Sequence, residues 1–167
     1  MEYTFQPMTI PYAAQICLWQ YEEPYSLYSL EESEDCIDEL MNGDYYAALN
    51  QEKQIVGFIC TGHSARVGGG YAAGIYDNNT FLDIGLGLRP NLTGKGYGLP
   101  FLAQMISFIK KQHSNRELQL VVASYNERAI RVYERAGFHK GMTFRSMVGD
   151  QDLEFTLMQH ETSFNGQ

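Results

Sequence analysis

Apolar residues along this chain alternate between two spacings, and the changes of spacing mark out its elements. "YTFQPM" alternates as a short first strand. "TIPYAAQICLWQY" then carries a Thr cap, a Pro in the first turn, and Ile10, Ala13, Ala14, Cys17 and Leu18 at helical spacing, which predicts a helix from Thr9 to about Tyr21. The aromatic, aperiodic "EEPYSLYSL" reads as a loop into an acidic helix at about Glu32 to Met41, which Asn42-Gly43 closes. "DYYAALN" and "QIVGFICTG", parted by "QEK", predict an antiparallel hairpin.

The Gly- and Asn-rich "HSARVGGGYAAGIYDNN" reads as a loop. "TFLDIGLGLRP" is a strand interrupted by Gly85 and Gly87, and glycines inside a strand mark a bulge or a close approach. "GLPFLAQMISFIKKQH" places Leu99, Leu102, Ile106 and Ile109 on one stripe with Phe101, Met105 and Phe108 beside it, a mostly buried helix. "LQLVVAS" is the continuous apolar run of a central parallel strand. "NERAIRVYERAGF" is a short helix with an Asn start and a Gly stop, followed by strands near "HKGMTFRSMV" and "QDLEFTLMQH". The order β α α β β β α β α β β predicts an α+β fold: a mixed, mostly antiparallel sheet with helices on both faces.

Composition narrows the class. A chain of 167 residues with 44% hydrophobic content suits one domain over 1–167. The absence of a long apolar run or a signal-like start predicts a soluble, cytoplasmic protein without a membrane partner. Cys17, Cys36 and Cys60 are odd in number and widely spaced, so buried free thiols are expected. His63, His113, His139 and His160 lack metal-ligand spacing, and no metal is expected.

A net charge of −8 argues against nucleic acid, whose phosphates need a basic face. The charge is unevenly spread: residues 1–52 hold 11 of the 20 acidic residues and no Lys or Arg, while all 12 basic residues follow. Either "EESEDCIDEL" is a solvated helix face, or a cationic ligand lies near the first part and an anionic one near the rest.

The candidate anion site is "RPNLTGKGYGLPFL", where Gly94, Gly96 and Gly98 fall between a strand and a helix start. Such a turn presents unpaired N–H groups and the positive end of a helix dipole, which suits phosphate. It is not the ATP-type loop, because Gly96 and Tyr97 follow Lys95 where Ser or Thr is needed. Its Gly-x-Gly-x-Gly spacing also departs from the dinucleotide fingerprint, although Glu117 stands about 20 residues on and keeps a nucleotide-binding module as an alternative.

"LGLRPNLTGKGYGLPFL" followed by "NERAIRVYERAGF" resembles the GNAT superfamily of N-acetyltransferases, over about Thr80 to Phe138. In that family a loop of the form Gln/Arg-x-x-Gly-x-Gly/Ala binds acetyl-CoA; here Thr93 occupies the Gln/Arg position and Gly96 and Gly98 the glycine positions. The resemblance implies acetyl-CoA as acetyl donor, with Thr93, Gly94, Lys95, Gly96, Tyr97, Gly98 and Leu99 around its pyrophosphate and Arg89 adding charge. It implies that the strand before the loop splays from its parallel neighbour, so that Leu86 and Leu88 contact pantetheine through their backbone and Gly85 and Gly87 allow the approach. Asn126 would hydrogen-bond the pantetheine arm and Arg128 would reach a CoA phosphate or stay solvated.

Acyl transfer to an amine needs a neutral nucleophile and hence a base, for which Asp83 is one candidate and Glu22 or Glu23 another. Asp83 reads equally as a solvated strand residue. The resemblance gives Tyr133 the stabilisation of the departing thiolate, against a packing role in the core. It also places the acceptor near the first two helices, where Trp19, Tyr21, Glu22, Glu23 and Tyr25 combine aromatic faces with carboxylates suited to a cationic amine. A non-catalytic acyl-CoA sensor is the other alternative, and the chain is expected to act as a monomer or homodimer.

Overall fold

The structure, a computed structural model, describes residues 2–113 and 116–160. The strands are Thr4–Pro7 (β1), Tyr45–Leu49 (β2), Ile55–Thr61 (β3), Phe81–Leu88 (β4), Glu117–Ala123 (β5), His139–Val148 (β6) and Gln151–His160 (β7). The helices are Ile10–Ile16 (α1), Glu34–Leu40 (α2), Gly68–Ala73 (α3), Gly98–Gln112 (α4) and Glu127–Arg135 (α5). The strands form one sheet in the order β1-β2-β3-β4-β5-β7-β6. β4 and β5 run parallel, while β1-β2, β2-β3, β5-β7 and β6-β7 pair antiparallel. The mixed, mostly antiparallel sheet expected from the hydrophobic pattern is therefore present.

The chain divides into two compact units, one of residues 1–60 and 86–108, the other of residues 61–85 and 109–167. In the first, the period of two along β2 distributes side chains to two helical layers. Tyr45, Ala47 and Leu49 join Met8, Ala13, Ile16, Trp19 and Leu40 in an apolar cluster beneath α1 and α2. Tyr46 points the other way and meets Phe108 of α4 edge-on at 5.1 Å, where Phe5 stacks on the same ring. The buried face of α4 is centred on Phe101, Leu102, Met105 and Ile109, one position round from the expected stripe.

α1 is shorter than its apolar spacing predicts. Thr9 caps its start, accepting from the Tyr12 N–H, but after Cys17 the bonds become Leu18 N–H to Gln15 O and Trp19 N–H to Ile16 O. These tighter i→i+3 bonds end the helix and turn Trp19 into the core, where it packs on Phe58. Cys17 caps the C-terminus and is disulfide-bonded to Cys36 of α2. The expectation of free thiols is corrected at these two positions: the α1–α2 turn brings together residues 19 apart, which sequence spacing does not reveal. Cys60 is buried and outside the disulfide.

In the second unit the Gly-rich stretch read as a loop contains α3. A Cβ at Gly69 would collide with the Arg145 carbonyl oxygen, so glycine is what lets α3 lie on β6. Asn126 caps α5 by accepting from the Ala129 N–H, and Leu82, Ile84, Leu118, Val122, Ile130, Phe138, Phe155 and Met158 are buried.

His160 at the end of β7 packs on Phe138. Burial, then the positive charge of Lys110, lowers its pKa. A histidine depressed in the folded state favours folding fully above its unfolded value, near 6.5, and that contribution is lost as pH falls from there towards the lowered folded value. His160→Leu is accordingly expected to reduce the fall in melting temperature between roughly pH 7 and pH 5. Parallel curves for the two proteins would remove His160 from the pH response.

Candidate active site

The glycine loop lies in the first unit. β4 ends at Leu88, a short turn covers Pro90–Leu92, and α4 begins at Gly98. The Arg89 N–H donates to Val56 O, while its side chain donates to Asn91 Oδ1 and to the Ile55 carbonyl, so Arg89 secures the base of the loop. The Thr93 hydroxyl donates to Pro90 O at 2.7 Å, and its N–H bonds the same carbonyl at 3.2 Å. Thr93 therefore serves to close the turn.

Beyond it, Gly94 and Gly96 adopt φ of +71° and +86°, the left-handed region that side chains disfavour. A Cβ built on Gly96 meets nothing within 4 Å, so the torsion and not crowding requires glycine there. Gly94, Lys95 and Gly96 are exposed, and in the first turn of α4, where Pro100 has no N–H and the Phe101 N–H donates to Tyr97 O, the N–H groups of Gly98 and Leu99 precede the first helical bond. The result is an open, backbone-lined cradle at the positive end of a 15-residue helix, which fits a pyrophosphate.

The parallel ladder pairs Phe81, Leu82 and Asp83 with Glu117, Leu118 and Gln119 and ends there, although β4 runs on to Leu88 and β5 to Ala123. Leu86 and Leu88 are half-buried. Gly87 has an internal reason to be glycine: its Cβ would lie 2.5 Å from the Phe58 ring. Phe58 fills the space that a side chain at 87 would need, a role that the interrupted strand pattern alone does not disclose.

The tract after α1 belongs to the same unit. The Tyr21 hydroxyl donates to the Leu88 carbonyl, and the Tyr21 N–H donates to Ser29 Oγ at 2.8 Å. Burial raises the Tyr21 pKa well above the usual phenol value, which keeps the hydroxyl protonated as a donor. Tyr21 thus ties the α1–α2 connection to the end of β4, bringing an expected acceptor residue to an expected donor-binding one. Trp19, expected at the acceptor, is only 8% exposed and packs in the core, so its ring is a structural wall. Glu22 and Glu23 are exposed, Glu23 accepts from the Ser26 hydroxyl at 2.7 Å, and Tyr25 is half-buried.

Next to this connection is a cavity of about 160 Å³ lined by Leu30, Glu31, Ser33, Cys36, Glu39, Leu40, Tyr45 and Phe58. Its wall is mainly apolar, with Glu31 and Glu39 among the lining residues; Tyr45 donates to Glu39 Oε2 at 2.9 Å. An apolar wall with two acidic residues beside it suits an organic cation. The sequence marked the acidic tract but not this combination, because Tyr45 and Phe58 come from β2 and β3.

The remaining candidates lie in the second unit. Asp83 is 4% exposed, which excludes the solvated-strand reading. Its Oδ2 is 2.8 Å from Arg66 Nε, and its Oδ1 accepts from Gln119 Nε2 at 2.8 Å. Gln119 also donates to the Ile75 carbonyl and accepts from Gln159, and the Arg66 guanidinium lies 4.7 Å above the Tyr76 ring. Asp83 is thereby the centre of a buried polar network that fastens the 62–78 stretch to β4 and β5. Arg66 was missed because it lies 17 residues away in a stretch read as loop.

Asn126 is buried at the start of α5 and Arg128 is half-buried. Tyr133 is half-buried with its ring edge-on to Phe138 at 6.0 Å, while its carbonyl accepts from the Ala136 and Phe138 N–H groups. Among the described residues no group of three or more His, Cys, Asp or Glu is placed to hold a metal ion, and no helix is long and apolar enough to cross a membrane.

Residues 11–138 match the model of the acetyltransferase (GNAT) family. No curated protein matches the chain. Among solved structures, an acetyltransferase (GNAT family) from Bacillus anthracis superposes with a TM-score of 0.72 at 14% identity, covering 95% of this chain and 94% of that one. AAC(6')-Ib in complex with ribostamycin and coenzyme A gives 0.71 at 18% identity, with 99% and 97% covered. Spermidine/spermine N-acetyltransferase SpeG from Vibrio cholerae, in complex with manganese ions, gives 0.68 at 15% identity, with 98% and 95% covered. At these identities the likeness is one of fold.

Proposed function

Because the chain belongs to the acetyltransferase (GNAT) family, we propose that it moves the acetyl group of acetyl-CoA directly onto a primary amine of a cationic small molecule or peptide. The observation that carries this reading is the glycine cradle, which lies within the matched residues and whose Gly96 combines a positive φ with open space above it. Gly94 to Leu99 hold the pyrophosphate through backbone N–H groups, and Lys95 adds charge. Leu86 and Leu88 take the pantetheine arm through their backbone, with Asn126 as a further hydrogen-bonding group. Arg128 reaches a phosphate of the same donor.

An alkylammonium has no lone pair for attack, and its pKa near 10.4 requires that a proton be taken at neutral pH. Glu22, Glu23 or a water beside them takes it. Asp83, engaged by Arg66 and Gln119, holds the strand in place. Tyr133 donates a proton to the departing thiolate. The acidic tract and the cavity with Glu31 and Glu39 among its lining residues support a cationic acceptor, as do fold neighbours described as a spermidine/spermine acetyltransferase and as a complex with ribostamycin.

Calorimetric titration with acetyl-CoA, with NAD and ATP as controls, tests the donor. Micromolar binding of acetyl-CoA alone is expected; preference for NAD or ATP would overturn the assignment. Tyr133→Phe is expected to lower turnover about a hundredfold while leaving acetyl-CoA affinity unchanged. Unaltered turnover would return Tyr133 to a packing role.

A further inference from the structure

We propose that the Cys17–Cys36 disulfide is a redox-responsive clasp that holds α2 against the cavity and so sets its affinity for a cationic amine. The amine part rests on the acceptor reading above; the clasp rests on geometry alone.

α2 has seven residues, too few to persist as a helix by itself. Four of them are carboxylates, and Glu31 and Glu32 precede them, so like charges stand four apart at Glu34 and Asp38 and at Asp35 and Glu39 and weaken the helix. Against this stand few attachments. Leu40 is buried, Cys36 and Ile37 pack partly on the apolar cluster, and Glu39 accepts from Tyr45. The covalent one is the disulfide, which joins the first turn of α2 to the C-cap of α1. Cys36 also lines the cavity beside Leu30, Glu31, Glu39 and Phe58. Any release of α2 therefore moves Glu39 and part of the apolar wall together.

The two sulfurs differ in access. Cys17 is 1% exposed, while Cys36 is half-buried and faces the cavity, so exchange begins at Cys36. A thiolate of a dithiol reductant attacks Cys36 Sγ, the protein S–S bond breaks, and Cys17 leaves as a thiolate that takes a proton from solvent. The second thiol of the reductant then attacks the mixed disulfide, releasing Cys36 as a thiol and leaving the reductant oxidised to its own disulfide. Two electrons and two protons pass to the protein, and a small-molecule disulfide reverses the exchange.

The test compares the oxidised protein, the same protein treated with a dithiol, and a Cys17→Ser/Cys36→Ser variant. Maleimide labelling after denaturation is expected to find one thiol in the oxidised form, Cys60, and three after reduction. Amide exchange over Glu34–Leu40 is expected to rise about tenfold on reduction and to revert on reoxidation. With spermidine as the probe, its KM is expected to rise about fivefold or more on reduction, with acetyl-CoA affinity unchanged. The double variant should behave as the reduced protein does under both conditions. Three thiols without reductant, or unchanged exchange over α2, would overturn the clasp. If α2 opens on reduction but spermidine KM does not change, the clasp stands and its control of the amine is overturned. If spermidine is not acetylated in either state, a spermidine titration decides: binding that weakens on reduction supports the control, and equal or absent binding overturns it.

Discussion

Gly96→Glu is expected to weaken acetyl-CoA binding by at least about a hundredfold while leaving the fold intact. Gly96 sits at φ +86°, with nothing within 4 Å of where its side chain would begin. A glutamate there meets no protein atom at its Cβ, so the native state bears only the torsional penalty, about 1 to 2 kcal/mol. The carboxylate would occupy the space above the cradle and repel the pyrophosphate. Gly96→Ala separates the two effects, since it carries the same torsion without the charge or the reach; it should keep most of the affinity. Calorimetry with acetyl-CoA on the three proteins, each checked by its melting temperature, reads both. Equal affinity in the wild type and Gly96→Glu would remove the loop from the donor site.

Asp83→Ala is expected to destabilise the protein by about 3 kcal/mol, because it strands the Arg66 guanidinium in a largely buried position. The Asp83 and Arg66 side chains are only 6% and 21% exposed, so solvent screens the pair weakly. For a chain of this size such a loss lowers the melting temperature by roughly 10 °C. Replacing both partners, Arg66→Met with Asp83→Leu, should be less harmful than either single change, since no unpaired charge remains. Thermal denaturation measured alongside turnover distinguishes the roles. A stable Asp83→Ala protein that has lost only turnover would make Asp83 the base.

Much of the element order was legible because it depends on local spacing. The helical stripe after Gly98, the apolar run of β5 and the Asn and Gly that bound α5 each state their structure within about 15 residues. The glycine cradle was legible for the same reason, since torsion at Gly94 and Gly96 is a local demand. Features that depend on tertiary contact were not. Gly87 looked like room for a ligand, yet the Phe58 ring occupies its side-chain space. The glycines of α3 looked like a loop because nothing local shows that Gly69 must lie against Arg145. Asp83 stood on an apolar strand with its partners 17 and 36 positions away. The pairing of Cys17 with Cys36 follows from the turn between α1 and α2, and Trp19 was drawn inward by the same turn.

Acetyl transfer is tested most directly by incubating the protein with acetyl-CoA and a panel of cationic amines, polyamines and aminoglycosides first, and measuring acetylated amine and free thiol together. Acetylated product with one thiol released per acetyl group, absent without protein and abolished by Gly96→Glu, is the expected result. Tight acetyl-CoA binding with no acetylated amine across the panel would contradict transfer and leave a protein that binds the donor without using it.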